Sequence, residues 1–156
     1  SLVKEGLLEH PVVYMSAYIN QFKQEYVDLL LNISRHGGNY WGTWLEFILN
    51  AIRTQALDAI WRSERLVSLR ERYHRRLKNA DAPSRLFQTV DDLFSMPAVN
   101  AAEIVQRSEV SKPTALKDIQ RLEQLGLLEE YTGKERDRDW VAREIIRVIE
   151  QDGPEQ

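Results

Sequence analysis

Apolar positions recur at steps of three and four along most of the chain, the period of helices that bury one stripe. Leu2, Val3, Leu7 and Leu8 suggest the tail of a helix ending near Glu9, where the following His10-Pro11 pair pushes the backbone out of helical geometry. Tyr18, Phe22, Tyr26, Leu29, Leu30 and Ile33 predict a second helix over residues 16–34 with one buried stripe, closed by Gly37-Gly38. Leu45, Leu49, Ile52, Ala56 and Ala59 carry the pattern into a third helix that starts near Asn39 or Tyr40 and can run to Asn79. Unbroken, that helix would be about 60 Å long at its ordinary rise. Such a length requires a bend or a dimer seam. Trp41, Trp44 and Trp61 add large apolar area, so the stripe is either bundle core or an interface between copies.

Asp81-Ala82-Pro83 is the expected domain boundary, and the pattern beyond it is different. A helix over residues 84–94 would bury Leu86, Val90, Leu93 and Phe94 before Pro97 stops it. Asn100 is placed to cap the next helix, with Glu103 in the capping-box position and Ala101, Ile104 and Val105 facing inward. Val110 would plug the turn. Ser111 caps the following helix, and Pro113 in its first turn does no harm. Ala115, Leu116, Ile119, Leu122 and Leu125 are expected on its buried side, and Thr114, Lys117, Asp118, Arg121 and Gln124 on the opposite face. Gly126 would end it in left-handed geometry, with Leu127 folding back. Two short strands, around LLEEY and DWV, then flank the charged loop TGKERDR.

Two helices with an apolar seam beside a charged hairpin predict a helix-turn-helix with a wing over residues 100–140, an arrangement able to hold one helix in a major groove. The predicted fold is mainly α. A helical bundle segment over residues 1–80 is followed, over residues 83–150, by a winged helix-turn-helix domain with a small β-hairpin.

DNA is accordingly a candidate partner. Thr114, Lys117 and Arg121 would face the groove, Arg121 reading guanine and Lys117 meeting a phosphate. Ser111 and Lys112 at the helix start would meet the backbone. Lys134, Arg136 and Arg138 around Gly133 would form a cationic wing, which the alternating Glu135 and Asp137 weaken. The same residues also suit the plain polar face of an amphipathic helix. Charge argues against a dedicated DNA binder: the chain carries −3 overall, and residues 82–150 hold ten Lys or Arg against thirteen Asp or Glu. Any phosphate contact must therefore come from local clustering. A second cationic run, Arg62, Arg65, Arg70, Arg72, Arg75, Arg76 and Lys78 against only Glu64 and Glu71, either tracks phosphates or is a solvated face at a helix C-terminus.

Other chemistry is thin. The chain has no cysteine, which removes disulfides, thiolate zinc sites and cysteine nucleophiles and leans towards the cytoplasm. His10, His36 and His74 lack a second ligand at helical zinc spacing and are expected at the surface or in turns. Asp91 and Asp92 are neighbours on a helix and diverge. Gly37-Gly38 lacks the lysine of a phosphate loop. No apolar run approaches the roughly 20 residues of a membrane span. The opening SLVKEGLLEH is too short and acidic for a signal peptide, and it begins in mid-helix, so Ser1 is not expected to be the native start.

Two segments resemble the Fic family. EGLLEHPVVYMSAYINQFKQEYVDLLLNISRHGGNYWGTWLEFILNAI is similar to the stretch that follows the Fic catalytic loop, in Gly6-Leu7-Leu8, in the Pro-x-x-Tyr-x-Ser-x-Tyr run from Pro11 to Tyr18, in Glu25 to Leu30, and in the tryptophan-flanked run from Trp41 to Leu49. Ala101 to Glu103, Pro113 to Leu116, Arg121 to Glu123 and Leu125 to Leu128 resemble the winged-helix tail of many Fic proteins. Members transfer the AMP moiety of ATP to hydroxyl side chains of target proteins, using a loop that reads roughly H-P-F-x-x-G-N-G-R. Here His10-Pro11 is followed by Val12-Val13-Tyr14, and the loop is absent. The resemblance thus implies the carboxy-terminal portion of such a protein. It would not be an enzyme by itself, would carry no catalytic residue and no cofactor, and would leave ATP and the target protein to the intact parent. Tyr14, Tyr18, Tyr26, Trp41 and Trp44 would line a nucleotide pocket there or simply pack a core. Two other readings stand beside this one: a dimerisation and protein-interaction module, and a non-Fic transcription regulator whose first region senses a ligand. A second copy of the chain is therefore also a candidate partner, and a membrane is not.

Overall fold

A computed structural model describes residues 16, 18–133 and 138–151. The expected helix tail before His10 lies outside the described residues, as do Tyr14, Lys134 and Arg136. The described chain is mainly helical, with one small three-stranded antiparallel sheet.

Helical backbone at 18–21 and a turn at Phe22 lead into α1 (Lys23–His36). Gly37, at φ 68° and ψ −142°, takes a positive-φ conformation open essentially to glycine, which ends the helix, and a 3-10 turn (Gly37–Tyr40) reverses the chain. Helix α2 (Trp41–Asn79) is one unbroken element of 39 residues. Nothing in it interrupts a helix: it contains no proline, and its one glycine, Gly42, is at its start.

The chain divides into two compact units between Ile60 and Trp61. In the first, α1 and the first half of α2 bury Leu29, Phe47 and Ala51, with the rings of Tyr18 and Tyr26 at 5.7 and 6.0 Å from that of Phe47. The stripe that is covered runs through Trp44, Phe47, Ile48 and Ala51. The stripe expected to be buried does not match it: Leu45, Leu49 and Ile52 are about half exposed, as are Phe22 and Leu30 in part. The helix carries two apolar stripes, and period alone cannot say which one α1 covers.

The second unit runs from Trp61 onward. The expected boundary at residues 81–83 is corrected by its core. Leu69, Tyr73 and Leu77 of α2 are fully buried and belong to the same cluster as Leu86, Val90 and Leu93 of α3 (Ser84–Leu93). The turn between them, with Asp81 at φ 48° and Ala82 N–H donating to the Leu77 carbonyl at 3.0 Å, lies inside this unit. Its flank is tied by charge. Asp91 accepts from Arg70 at 2.6 and 2.8 Å and contacts His74 Nε2 at 2.7 Å. Those bonds, Arg70's first, hold the Asp91 carboxyl below its usual range. His74 is therefore half-buried in a cluster, its ring against Phe87, and not a bare surface residue. The cationic run is likewise partly used: Arg76 faces Glu144 at 3.6 Å and Arg65 stacks on Trp61.

After α3 the chain forms β1 (Ala98–Asn100), α4 (Ala101–Ser108), α5 (Lys112–Gln124), β2 (Glu129–Glu130), β3 (Asp139–Val141) and α6 (Arg143–Glu150). The sheet order is β1-β3-β2, with Val99 opposite Trp140 and Glu130 opposite Trp140 on the other side. The sequence gives no sign of β1. Three residues after a proline carry no period of their own, and it is the pairing with β3 that makes them a strand.

Asn100 and Glu103 form the anticipated capping box, with bonds of 3.0 and 3.1 Å. Glu109 then occupies the left-handed region at φ 52° in the turn before α5. A side chain there costs about 1 kcal/mol, part of which glycine returns to the unfolded chain as entropy. Glu109→Gly is expected to stabilise the second unit by about 0.5 kcal/mol in urea unfolding. A lowered midpoint would show that Glu109 is held there by contacts that outweigh the strain.

Candidate nucleic-acid interface

Helix α5 lies across the core, and its inward side is set by Ala115, Ile119 and Leu122, all fully buried. At about 100° per residue, this turns Pro113, Lys117, Gln120 and Gln124 directly outward. All four are exposed. Both ends of the helix are fixed. Ser111 Oγ accepts from Thr114 N–H at 3.4 Å and pairs with the Thr114 hydroxyl at 2.8 Å. At the other end Gly126, at φ 69°, lets Leu127 N–H reach back to the Leu122 carbonyl at 2.9 Å.

Four expectations about this helix are corrected. Asp118 does not lie on the outward face: it is 4% exposed and takes a two-pronged bond from Arg85 at 2.7 and 2.8 Å. Leu116, expected inside, is 38% exposed. Arg121, expected to read a base, is half-buried and directs Nη2 to the carbonyls of Ala80 and Asp81, the free carbonyl end of α2. Thr114 is half-buried, with its hydroxyl engaged by Ser111. The three polar departures have the same cause: charged and hydroxyl groups were assigned to water by type, whereas the core's edge offers them partners. Leu116 departs in the opposite sense, being apolar at a position about 100° from the buried line of Ala115, Ile119 and Leu122.

Ser111, Lys112 and Lys117 remain together on the exposed surface. Gln120 joins them and was missed. The register of Ala115, Ile119 and Leu122 was signal enough to find it. Over its first three turns the exposed face, Ser111, Lys112, Pro113, Leu116, Lys117 and Gln120, carries two cations and no carboxylate. The one acidic side chain in those turns, Asp118, is turned inward and matched by Arg85. Glu123 begins the acidic side only near the helix end. A face of net positive charge thus exists within a unit whose 17 Lys or Arg and 17 Asp or Glu cancel.

The hairpin β2–β3 follows α5. Its turn is organised by Glu130, whose Oε1 accepts from Thr132 Oγ1 and N–H and from Gly133 N–H at 3.0, 3.1 and 2.7 Å. The Thr132 hydroxyl bond contributes most to holding the Glu130 carboxyl below its usual range. Arg138 is exposed and its charge acts on Glu130. Tyr131 is exposed beside them, and its N–H donates to the Asp139 carbonyl at 2.9 Å. Among the described residues, no group of three or more His, Asp or Glu side chains is placed to hold a metal ion, and no helix is long and apolar enough to cross a membrane. Compared with models of known protein families, the chain matches none.

Proposed function

We propose that the second unit is a winged-helix DNA-binding module, with α5 lying in the major groove and the β2–β3 hairpin as the wing. The single observation that carries this is the exposed face of α5, cationic and without a carboxylate over three turns. The order helix, strand, helix, helix, strand, strand, with the short sheet beside the helix pair, supports the winged-helix reading. Lys112 and Lys117 contact phosphates, and Ser111 at the helix start adds a backbone contact. Arg121 is assigned to the fold and not to DNA.

The test is a mobility shift with random-sequence duplex at low salt. Binding is expected there and should weaken steeply with added salt. Lys112→Glu with Lys117→Glu should reduce it by tenfold or more, since two phosphate contacts become repulsions. No shift at any salt, or an unchanged shift for the double variant, removes the proposal.

The resemblance of residues 5–52 to the segment after a Fic catalytic loop supports a wider setting. In it this module is carried by a protein adenylyltransferase, and ATP and the target protein belong to the intact parent. A second reading is favoured by one feature of the first unit: Leu30 and Leu31 of α1 and Trp41, Leu45, Leu49 and Ile52 of α2 are exposed apolar side chains around a very small core. This suits a protein-interaction surface, for the parent's remaining domain or for a second copy. Light scattering separates these. A monomer at high concentration removes the second copy.

A further inference from the structure

We infer that Gln120 and Leu116 give this module a sequence preference, for an A·T pair whose adenine meets Gln120 and an adjoining thymine whose methyl meets Leu116. The inference rests on the DNA-binding reading above and adds to it the base recognised and the residues that recognise it. Sequence in a duplex is read from base edges, because phosphate contacts position the protein without informing it. The residues able to read must therefore be exposed, central on the outward face and free of protein partners. Among the described polar residues of α5, Arg121, Asp118 and Thr114 fail, since each is engaged by the fold, and Gln124, though exposed and outward, lies beside Glu123 at the helix end, beyond the two lysines. Lys117 is a flexible point charge suited to phosphate.

Gln120 meets all three conditions. It is exposed, it sits one turn beyond Lys117 and Leu116, and among the described residues no protein group engages its amide. A side-chain amide carries a donor and an acceptor side by side, matching the N6 and N7 edge that adenine presents in the major groove. Leu116, four residues earlier, lies next to it on the helix surface. Leu116 is 38% exposed and lies outside the buried cluster, and the thymine methyl is the apolar feature of the same groove. Charge supports the choice of occupant: Lys112 and Lys117 flank the pair and Asp118 is turned inward, while the exposed Glu123 one turn beyond Gln120 marks where the cationic stretch ends.

The experiment is selection from a pool of duplexes with a randomised centre, using the full chain, followed by affinity measurement on the selected sites. The wild-type chain is expected to enrich sites with a fixed A·T pair and an adjacent thymine. Gln120→Ala should lose roughly tenfold in preference at the adenine position, read as the ratio of affinities for two duplexes that differ only at that pair. Gln120→Arg should move the preference at that position to guanine, a change no structural role of Gln120 would produce. Leu116→Ala should weaken discrimination of thymine from cytosine alone, and Lys117→Ala should weaken all sequences equally. Binding without enrichment, or Gln120→Ala and Gln120→Arg variants that keep the wild-type site, overturns the inference and leaves the DNA-binding reading standing. Absence of binding to every duplex overturns both.

Discussion

Tyr73→Ala is expected to destabilise the second unit by about 4 kcal/mol, the cost of removing a fully enclosed aromatic side chain. The ring has no solvent exposure, packs on Phe94 with centroids 5.9 Å apart, and lies between Leu69 and Leu77 on α2. Its hydroxyl makes no hydrogen bond of ordinary geometry, and burial, then the charge of Glu144, holds it protonated far above its usual range. Tyr73→Phe should therefore cost about 1 kcal/mol or less. Urea unfolding followed by circular dichroism measures both. The pair is informative because residue 73 lies before the boundary expected from the sequence. A small cost for the alanine variant would mean that the second half of α2 is dispensable to the helix pair, and would restore that boundary.

Arg85→Ala should cost about 2–3 kcal/mol, and Asp118→Ala only about 1. The two substitutions break the same ion pair, so a symmetric view expects equal losses. Exposure removes the symmetry. Asp118 is buried, with a side chain 5% exposed, while the Arg85 side chain is 37% exposed. Without Arg85, a carboxylate stays in the interior without its partner. Without Asp118, the guanidinium turns to water. Equal losses, or a larger loss for Asp118→Ala, would show that the aspartate is not confined as described. The pair also bears on function, because it keeps the only carboxylate of the first three turns of α5 off the exposed face. Asp118→Ala should accordingly leave duplex binding intact.

Local chemistry made much of the second unit legible. The capping box of Asn100 and Glu103, the Ser111 cap, Pro113 in a first turn and the left-handed Gly126 are signals carried by two to four neighbouring residues. They depend on no distant partner, and the expected helices and hairpin lie where they indicate. The bounds of the long helix were legible, but its continuity was not: a bend or a dimer seam was expected, and Trp41–Asn79 is one helix. The exposed face of α5 was legible only in part: Ser111, Lys112 and Lys117 are exposed as expected, whereas Arg121 and Thr114 are engaged elsewhere and Gln120 went unnoticed.

The sequence by itself determined where most helices begin and end, because caps, breakers and period act within a few residues of chain; α6, whose start has no side-chain cap, went unforeseen. Tertiary structure alone decided which apolar stripe of α2 is covered, where the two units divide, that residues 98–100 form a strand, and which polar groups of α5 are left exposed. Each of those depends on a contact between residues far apart in the chain: Arg85 with Asp118, Arg121 with Ala80, Val99 with Trp140. A charged side chain near a core goes to water or to a partner according to what folds beside it, and periodicity contains no record of the neighbour.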